Sequence, residues 1–289
     1  MTFIFLSIVA ILMIYGPLRE LLRNVEHREY YSHILLIPLI SGYFIYAKRK
    51  ILFSDVEYSF APGIILLVVG ILFYTVGREQ RAQFNLNDYS SLITFSGLIF
   101  WMGSIVLLYG MKTFRRIFFP LLFLVFMIPV PTLLMDRMIH LLQAASTEVT
   151  HLLFIITGIP FSREGFTFHL PGINIEVAKE CSGIRSSLGL FITGILAGHL
   201  FLKTGWRKVM LALFVFPITV FKNGVRIITL SSLAVYVDEK FITQSFLHKS
   251  GGFIFYIPAL LLLGFGLWWL RRSEKALDRD KSEKIEGGS

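Results

Sequence analysis

The only cysteine of the 289-residue chain, Cys181, stands beside charged and small polar residues at the start of an apolar segment. From Ile184 to Leu202 the sequence can form a membrane-crossing helix, which places Cys181 at the N-terminal edge of that helix. Unpaired N–H groups and the positive dipole end at a helix N-terminus favour the thiolate, the nucleophilic form of cysteine. Arg185, four residues on, adds positive charge on the same face. The pattern predicts a nucleophile; the alternative is a small buried hydrophobic residue.

Composition sets the class of protein. The chain is 55% hydrophobic and only 16% charged, with a mean hydropathy of +0.68, whereas soluble domains carry about 25% charged residues. We therefore expect an all-α, polytopic transmembrane helical bundle of about eight spans with a small extracytoplasmic hairpin. Residues 1–271 are predicted to form one membrane domain, and residues 272–289 a disordered cytoplasmic tail. The expected spans are Thr2–Tyr15 continuing towards Leu22, Ser32–Ala47, Phe60–Val76, Ser91–Met111, Ile117–Met135, Ile184–Leu202, Trp206–Val225 and Gly252–Leu270.

The stretch between the fifth and sixth spans has its own pattern. Met138 to Gly158 is moderately apolar but carries polar residues, which predicts a helix at the membrane interface or lining a cavity. Phe161 to Val177 shows short alternating runs punctuated by glycine and proline, which predicts a small hairpin that leads into Cys181. Prolines are expected to kink the fifth span or unwind its end: Pro120, Pro129 and Pro131.

Basic residues predict the orientation in the membrane, since short cytoplasmic loops collect Lys and Arg. Uncompensated basic residues occupy alternate loops: Lys48 to Lys50, Lys112 with Arg115 and Arg116, Lys203 with Arg207 and Lys208, and Arg271 with Arg272. Both termini should therefore be cytoplasmic, with residues 136–181 outside. The net charge of +9 is mostly this inner-face excess, and no basic-aromatic pattern predicts nucleic-acid binding. A lone cysteine outside the membrane either pairs with another molecule or stays free for chemistry.

Two other ionisable residues share the predicted depth of Cys181. Arg226 ends the seventh span and His248 precedes the eighth, each roughly 20 residues, or about 30 Å of helix, from the basic inner loops. Three consecutive spans can thus bring a thiol, a guanidinium and an imidazole to one surface. Taken singly, Arg226 could instead extend to lipid headgroups, and His248 could be an interfacial residue without a role. A cysteine and histidine with a third polar group are the minimal equipment for acyl transfer.

Three blocks of sequence resemble the signature blocks of the exosortase/archaeosortase family. They are Cys-Ser-Gly-Ile-Arg at 181–185, Asn-Gly-Val-Arg-Ile at 223–227, and His248 followed by Gly252 and Tyr256; Ser32-His33-Ile34 with Pro38 also fits weakly. The resemblance is strongest over 175–260. The family consists of polytopic prokaryotic membrane transpeptidases, and its cysteine, arginine and histidine fall on Cys181, Arg226 and His248. The supporting positions are Ser182, Gly183, Arg185 and Asn223. A histidine at 248 resembles the exosortase branch.

The resemblance implies a cysteine transpeptidase or protease that acts through a thioester acyl-enzyme. Its partners would be secreted proteins with a C-terminal sorting tail: a short Pro-Glu-Pro-like motif, one hydrophobic helix and a basic end. It would cleave them at the outer face of the cytoplasmic membrane. His248 would keep Cys181 as thiolate, and Arg226 would steady the oxyanion or orient the substrate. An acceptor nucleophile or water would take the acyl group. No cofactor is required, and the scattered histidines give little support to a metal site.

Two other classes of function remain open from the residues alone. The first is a transporter or channel subunit in which Arg185, Arg226, Glu148 and Glu180 line a polar path. No internal repeat of the kind that many transporters show is visible in the sequence. The second is a structural partner in a polysaccharide-export complex, with Cys181 bonded to another protein. Protection of Cys181 from a membrane-impermeant thiol reagent would favour this second class.

The predicted topology can be tested with reporter fusions. Because the basic loops alternate, a reporter that works only in the cytoplasm should be active when it is fused after Arg271. A reporter that works only outside the cell should be active when it is inserted between residues 136 and 181. Activity of an extracytoplasmic reporter after Arg271 would contradict the predicted orientation.

Overall fold

The structure, a computed structural model, describes residues 1–23, 32–47, 49–52, 57–179, 183–238 and 254–286. Four residues singled out above lie outside these ranges: Glu180, Cys181, Ser182 and His248. The described elements are α1 (Thr2–Arg23), a 3-10 turn (Ser32–Leu35), α2 (Leu36–Ala47), α3 (Arg49–Leu52), α4 (Phe60–Glu79), α5 (Leu86–Arg116), α6 (Phe118–Phe123), a second 3-10 turn (Leu124–Met127), α7 (Thr132–Thr157), β1 (Ser162–Glu164), β2 (Thr167–Leu170), β3 (Ile173–Glu176), α8 (Ile184–Phe201), α9 (Gly205–Tyr236) and α10 (Tyr256–Glu286).

The helices have the lengths and composition of membrane spans. Within the described ranges, six are long and apolar enough to cross a membrane, namely α1, α4, α5, α7, α8 and α9. Two shorter apolar helical stretches run over His33–Ala47 and Phe118–Met127. The predicted eighth span corresponds to the first part of α10. The prediction of a polytopic helical membrane protein is confirmed.

The chain divides into two compact units, residues 1–135 and 136–289. In the first unit, α4 and α5 pack as an antiparallel pair through glycines spaced every seven residues along α4. A Cβ atom on any of these glycines would lie within 3 Å of an atom of α5, so the two backbones approach as closely as small residues allow in membrane helices. The contacts pair Gly63 with Leu107, Gly70 with Phe100 and Gly77 with Ile93.

The predicted fifth span is not continuous. After α6 and the second 3-10 turn, the chain leaves the helix at Pro129 and Pro131, which cannot donate backbone hydrogen bonds. The start of α5 supplies partners for the carbonyl groups there: Ser91 Oγ donates to the Pro129 carbonyl at 2.7 Å, and Asn87 Nδ2 donates to the Val130 carbonyl at 2.8 Å. The predicted proline break is present, and its polar groups are satisfied by neighbouring side chains.

The segment predicted as a helix at the membrane interface or lining a cavity, Met138–Gly158, belongs to a longer element. It forms most of α7, whose 26 residues meet the length and composition of a membrane span. The difference arises because Thr132 to Asp136, after the proline break, add more than one helical turn at its N-terminus. The orientation of residues 136–181 stays a prediction for the topology experiment.

Three short strands follow α7 and form an antiparallel sheet in the order β1-β2-β3. The β2–β3 pair, with Phe168 opposite Ile175, is the predicted hairpin between Phe161 and Val177. The third strand, β1, pairs Arg163 with Phe168 and was not predicted, because Ser-Arg-Glu has no apolar alternation. The fold prediction for this segment is confirmed and extended by one strand.

The sheet is fixed to α7 and α9 by an apolar cluster and by polar links. Gln143 Nε2 on α7 donates to the Val177 carbonyl at 2.5 Å. Arg163 Nη2 on β1 lies 2.7 Å from Glu148 Oε1 on α7. The chain that enters the Cys181 segment therefore starts from a fixed position. The buried cluster consists of Phe154, Ile159, Phe168, Leu170, Val177, Ile227 and Ile228.

Helices α8, α9 and α10 share one apolar core and a polar contact at one end. Glu274 on α10 is 5% exposed and accepts backbone hydrogen bonds from Lys203 at 3.1 Å and from Thr204 at 2.8 Å, at the turn between α8 and α9. The hydroxyl of Thr204 also donates to it, and Arg207 Nη1 lies 3.3 Å away. The apolar core consists of Leu190, Leu202, Leu211, Val215, Ile218, Ala259, Leu263 and Leu270.

The last helix continues past the predicted end of the membrane domain. The sequence analysis expects a disordered tail over 272–289, whereas α10 runs to Glu286. The residues there are mostly good helix formers. The buried Glu274 contact anchors the first turn of this extension. The tail is therefore helical as far as Glu286.

The Glu274 contact should make stability depend on pH. Burial raises the pKa of the Glu274 carboxyl, but hydrogen bonds from Thr204 and Lys203 outweigh that effect and lower the pKa to about 2. Because the folded-state pKa lies below the usual value of 4.5, the contribution is complete above pH 4.5 and is lost as the pH falls towards about 2. Glu274→Gln should lower the free energy of unfolding by about 3 kcal/mol at pH 7, and by less as the pH approaches 2.

Unfolding of the wild-type protein and of the Glu274→Gln variant in mixed detergent micelles, followed at several pH values, measures this effect. The matched control is Glu57→Gln: Glu57 pairs with Lys112 at 2.5 Å but is 56% exposed, so we expect a change of about 0–1 kcal/mol. Equal losses for the two variants at pH 7 would contradict a special role for Glu274.

Candidate active site

Gly183 sets the start of α8, two residues after Cys181. Its backbone has φ 72° and ψ 16°, a left-handed conformation that glycine adopts without the cost a Cβ atom brings. Its carbonyl accepts the backbone N–H of Ser187 at 3.0 Å and the hydroxyl groups of Ser186 at 2.9 Å and Ser187 at 2.7 Å. The chain thus turns sharply into α8 at this residue, and the positive end of the helix dipole lies next to the predicted nucleophile segment.

Helix α9 brings two polar side chains against this turn. A Cβ atom built on Gly183 would lie 3.4 Å from Asn223 Oδ1 and 3.4 Å from Lys222 Nζ. Lys222 is only 7% exposed, and its ammonium group donates a hydrogen bond to Ser186 Oγ. Asn223 is fully buried, with 0% exposure. The N-terminal turn of α8 is therefore in contact with a buried cation and a buried amide.

The buried amide of Asn223 makes no hydrogen bond. Neither its Oδ1 nor its Nδ2 has a partner among the described residues. Most buried side-chain amides in folded proteins are hydrogen-bonded, and an unsatisfied one costs about 1–3 kcal/mol. Asn87 in the first unit, 6% exposed, shows the usual case, since its Nδ2 donates to the Val130 carbonyl. An orphaned amide beside a helix N-terminus is a candidate for binding a ligand group.

Arg226 lies one turn beyond Lys222 on α9 and is half-buried. No carboxylate of the described ranges forms a salt bridge with Lys222 or Arg226. Between them, Gly224 allows α9 to pack tightly on α7, because a Cβ there would lie 2.6 Å from Val149 Cγ1. The end of α9 near the α8 turn therefore carries two positive charges that no described acidic group neutralises.

Four of the predicted site residues lie in the described part of the chain: Gly183, Arg185, Asn223 and Arg226. The structure brings Gly183 and Asn223 together, with Arg226 one turn away on the helix that carries Asn223. Arg185 occupies the first turn of α8, where it is exposed. The described part of the third sequence block also reaches α8, because the Tyr256 hydroxyl would lie 3.8 Å from a Cβ atom on Gly189. Cys181, Ser182 and His248 lie outside the described residues, so their positions stay predictions.

Two residues of this arrangement, Lys222 and Ser186, were missed by the sequence analysis. The signal was present for Lys222, since an ionisable residue inside an apolar span is a functional candidate by default. The sequence analysis chose the neighbouring Arg226 instead, because its distance from the basic inner loop placed it at the predicted depth of Cys181. Ser186 carried no such signal, because a serine near a helix start is commonplace. In the described part of the chain, no group of His, Cys, Asp and Glu could hold a metal ion.

Comparison with known proteins gives one match. The family model for transmembrane exosortases (Exosortase_EpsH) matches residues 25–265, which is most of the chain and includes all three sequence blocks. No curated protein and no solved structure matches the chain significantly.

The unpartnered state of Asn223 can be tested without any assay of function. Asn223→Leu keeps the size of the side chain and removes a buried, unsatisfied amide, so it should raise the free energy of unfolding by about 1–3 kcal/mol. The matched control is Asn87→Leu, which removes the hydrogen bond from Nδ2 to the Val130 carbonyl and should lower that free energy by about 1–3 kcal/mol. Unfolding in mixed detergent micelles measures both. A loss for Asn223→Leu as large as that for Asn87→Leu would show that Asn223 holds the fold together.

Proposed function

Because the chain belongs to the transmembrane exosortase family, we propose that it is a cysteine transpeptidase or protease that cleaves C-terminal sorting signals of secreted proteins. The proposed substrates carry a short Pro-Glu-Pro-like motif, one hydrophobic helix and a basic end. Such a tail would lie as a span beside the multi-pass enzyme, with its scissile region at the membrane surface. The reaction would take place at the extracytoplasmic face of the cytoplasmic membrane, with both termini inside the cell and lipid around the bundle.

One observation supports the proposal most directly: α9 carries two cationic side chains with which no described carboxylate pairs. Lys222 lies against the turn that begins at Gly183, and Arg226 follows one helical turn beyond Lys222. Cys181 precedes Gly183 by two residues in the sequence. Positive charge and a helix N-terminus beside a thiol favour the thiolate and the negative charge of an acyl-transfer transition state. A structural thiol would need neither.

The proposed reaction begins with transfer of the thiol proton of Cys181 to His248. The sulfur then forms a bond to the carbonyl carbon of the scissile peptide, and the carbonyl electron pair moves to oxygen. When the carbonyl re-forms, the C–N bond breaks and the leaving amine takes the proton from His248, which leaves a thioester. An acceptor amine, or water, attacks the thioester and releases Cys181 as a thiol. Arg226 steadies the oxyanion or orients the substrate.

The geometry gives less support to a transporter. A polar path through a transporter would require Glu148 and Arg226 to face a common passage. Glu148 instead forms a 2.7 Å ion pair with Arg163 of the small sheet, and Arg185 is exposed. The sorting-signal reading remains the better supported one.

Three substitutions test the roles. Cys181→Ser should abolish processing, because serine keeps the size but lacks thiolate reactivity. Arg226→Ala should also abolish it, and Arg226→Lys should not restore it fully, since lysine lacks the planar fork of donors. His248→Ala should slow acylation by roughly 10²–10⁴-fold. The measurement is the processing rate of a secreted reporter that carries a sorting tail, with equal amounts of membrane-inserted enzyme.

The matched control for the histidine is His169→Ala. His169 lies on β2, where its Nδ1 is 2.9 Å from Asn174 Oδ1, and it has no proposed role in the reaction. This variant should process the reporter at the wild-type rate. Wild-type cleavage by Cys181→Ser would overturn the proposed mechanism and move the transporter reading ahead of it.

A further inference from the structure

The proposed reaction gives Asn223 no role and uses Lys222 only as a nearby positive charge, although the pair occupies the best-defined part of the site. Both side chains are buried, both lie 3.4 Å from a Cβ position on Gly183, and one of them makes no hydrogen bond. Lys222 is held in place through Ser186, whose hydroxyl accepts from the ammonium and donates to the Gly183 carbonyl. A buried cation and an unpartnered buried amide lower the stability of the folded protein unless a bound ligand group interacts with them.

The surroundings indicate what kind of group that is. The first N–H groups of α8 have no acceptor within the helix, and the helix dipole adds positive potential at the same place. Lys222 adds positive charge, and the Asn223 amide, whose Oδ1 faces Gly183, has two unpartnered N–H donors on Nδ2. Each of these features favours negative charge on an oxygen atom, and none of the described acidic side chains supplies it there. The pocket is therefore suited to an anionic oxygen.

We infer that Asn223 and Lys222, set against the N-terminal turn of α8, form the oxyanion site of the acyl-transfer reaction. Asn223 donates a hydrogen bond to the carbonyl oxygen as it becomes negative, and Lys222, positioned by Ser186, compensates the charge. Arg226 is then left to orient the substrate. The inference rests on the proposed function, because the oxyanion forms only when a nucleophile adds to the scissile carbonyl.

The chemistry explains why the amide is unpartnered in the resting protein. When the Cys181 sulfur bonds to the carbonyl carbon, the π electron pair moves to the carbonyl oxygen, and the charge is greatest in the transition state. A donor that is already satisfied would have to give up a hydrogen bond at that moment, whereas a preorganised free donor does not. The stability lost by leaving Asn223 unsatisfied is thus recovered only in the transition state, where it accelerates the reaction.

The test compares two reactions of the same thiol, using the full-length enzyme in proteoliposomes. Cleavage of the sorting-tail reporter passes through an oxyanion, whereas alkylation of Cys181 by iodoacetamide does not. Asn223→Leu should lower kcat for cleavage by roughly 10²–10³-fold with KM little changed. It should leave the alkylation rate constant of Cys181 unchanged. Asn223→Asp, which places a negative charge at the same position, should lower kcat at least as much.

The matched control is Thr219→Val. Thr219 lies one turn earlier on α9, is 1% exposed and also has an unpartnered Oγ1, and it is not among the three atoms nearest to a Cβ position on Gly183. This variant should retain wild-type kcat. Lys222→Met should lower kcat, and Lys222→Arg should restore part of it because the charge is kept. Ser186→Ala removes the hydroxyl that positions the ammonium group but keeps the positive charge of Lys222. It should therefore shift the pH profile of kcat less than Lys222→Met does.

The outcomes separate the inference from the proposed function. Cleavage by Asn223→Leu within threefold of the wild-type kcat would overturn the oxyanion site while leaving the cysteine mechanism intact. An equal fall in cleavage and in alkylation would also overturn it, because the substitution would then act on the thiol or on the local structure. If Cys181→Ser cleaves normally, the cysteine mechanism fails, yet a fall in kcat for Asn223→Leu still supports the oxyanion site for whichever nucleophile reacts. A wild-type enzyme that cleaves no sorting tail overturns both.

Discussion

The packing of α9 against the first turn of α8 is the contact on which the candidate site depends. It buries the Lys222 ammonium against Ser186 and the Asn223 amide against Gly183, and it requires a glycine at 183 because φ is 72° there. A buried charge and an unsatisfied amide oppose folding. The apolar contacts of α8, α9 and α10 must therefore hold the helices together strongly enough to keep such groups in place.

The opposite end of the same helices carries a polar contact that helps to hold them together. Glu274 joins α10 to the turn between α8 and α9, about 26 Å along α9 from Lys222 at 1.5 Å per residue. There, the Glu274 carboxylate accepts from two backbone N–H groups and lies beside the buried Arg207. Arg207 Nε itself has no hydrogen-bond partner. The two ends differ in that the Glu274 carboxylate is hydrogen-bonded, whereas neither polar atom of the Asn223 amide is.

The sequence predicted the helical membrane fold and the hairpin, because hydrophobic length and strand alternation are local signals. The family resemblance named Gly183 and Asn223 as supporting positions, and a Cβ atom on Gly183 would lie 3.4 Å from Asn223 Oδ1. The sequence predicted that prolines would kink the fifth span or unwind its end, but not that α7 would start at Thr132, because the partners of the freed carbonyl groups, Ser91 and Asn87, lie far away in the sequence. The helical extension to Glu286 depended likewise on a distant partner for Glu274.

Residue type and burial alone do not separate a structural polar group from a functional one; the partner does. Asn87 and Asn223 are both asparagines in long, apolar helices, and both are buried. Asn87 satisfies a carbonyl that a proline break leaves exposed, so its hydrogen bond belongs to the fold. Asn223 has the same donors but no acceptor in the described protein, and it faces a helix N-terminus beside a cation. A group held in that state stabilises whatever anionic oxygen reaches it, and in an acyl-transfer enzyme that oxygen forms during the reaction itself.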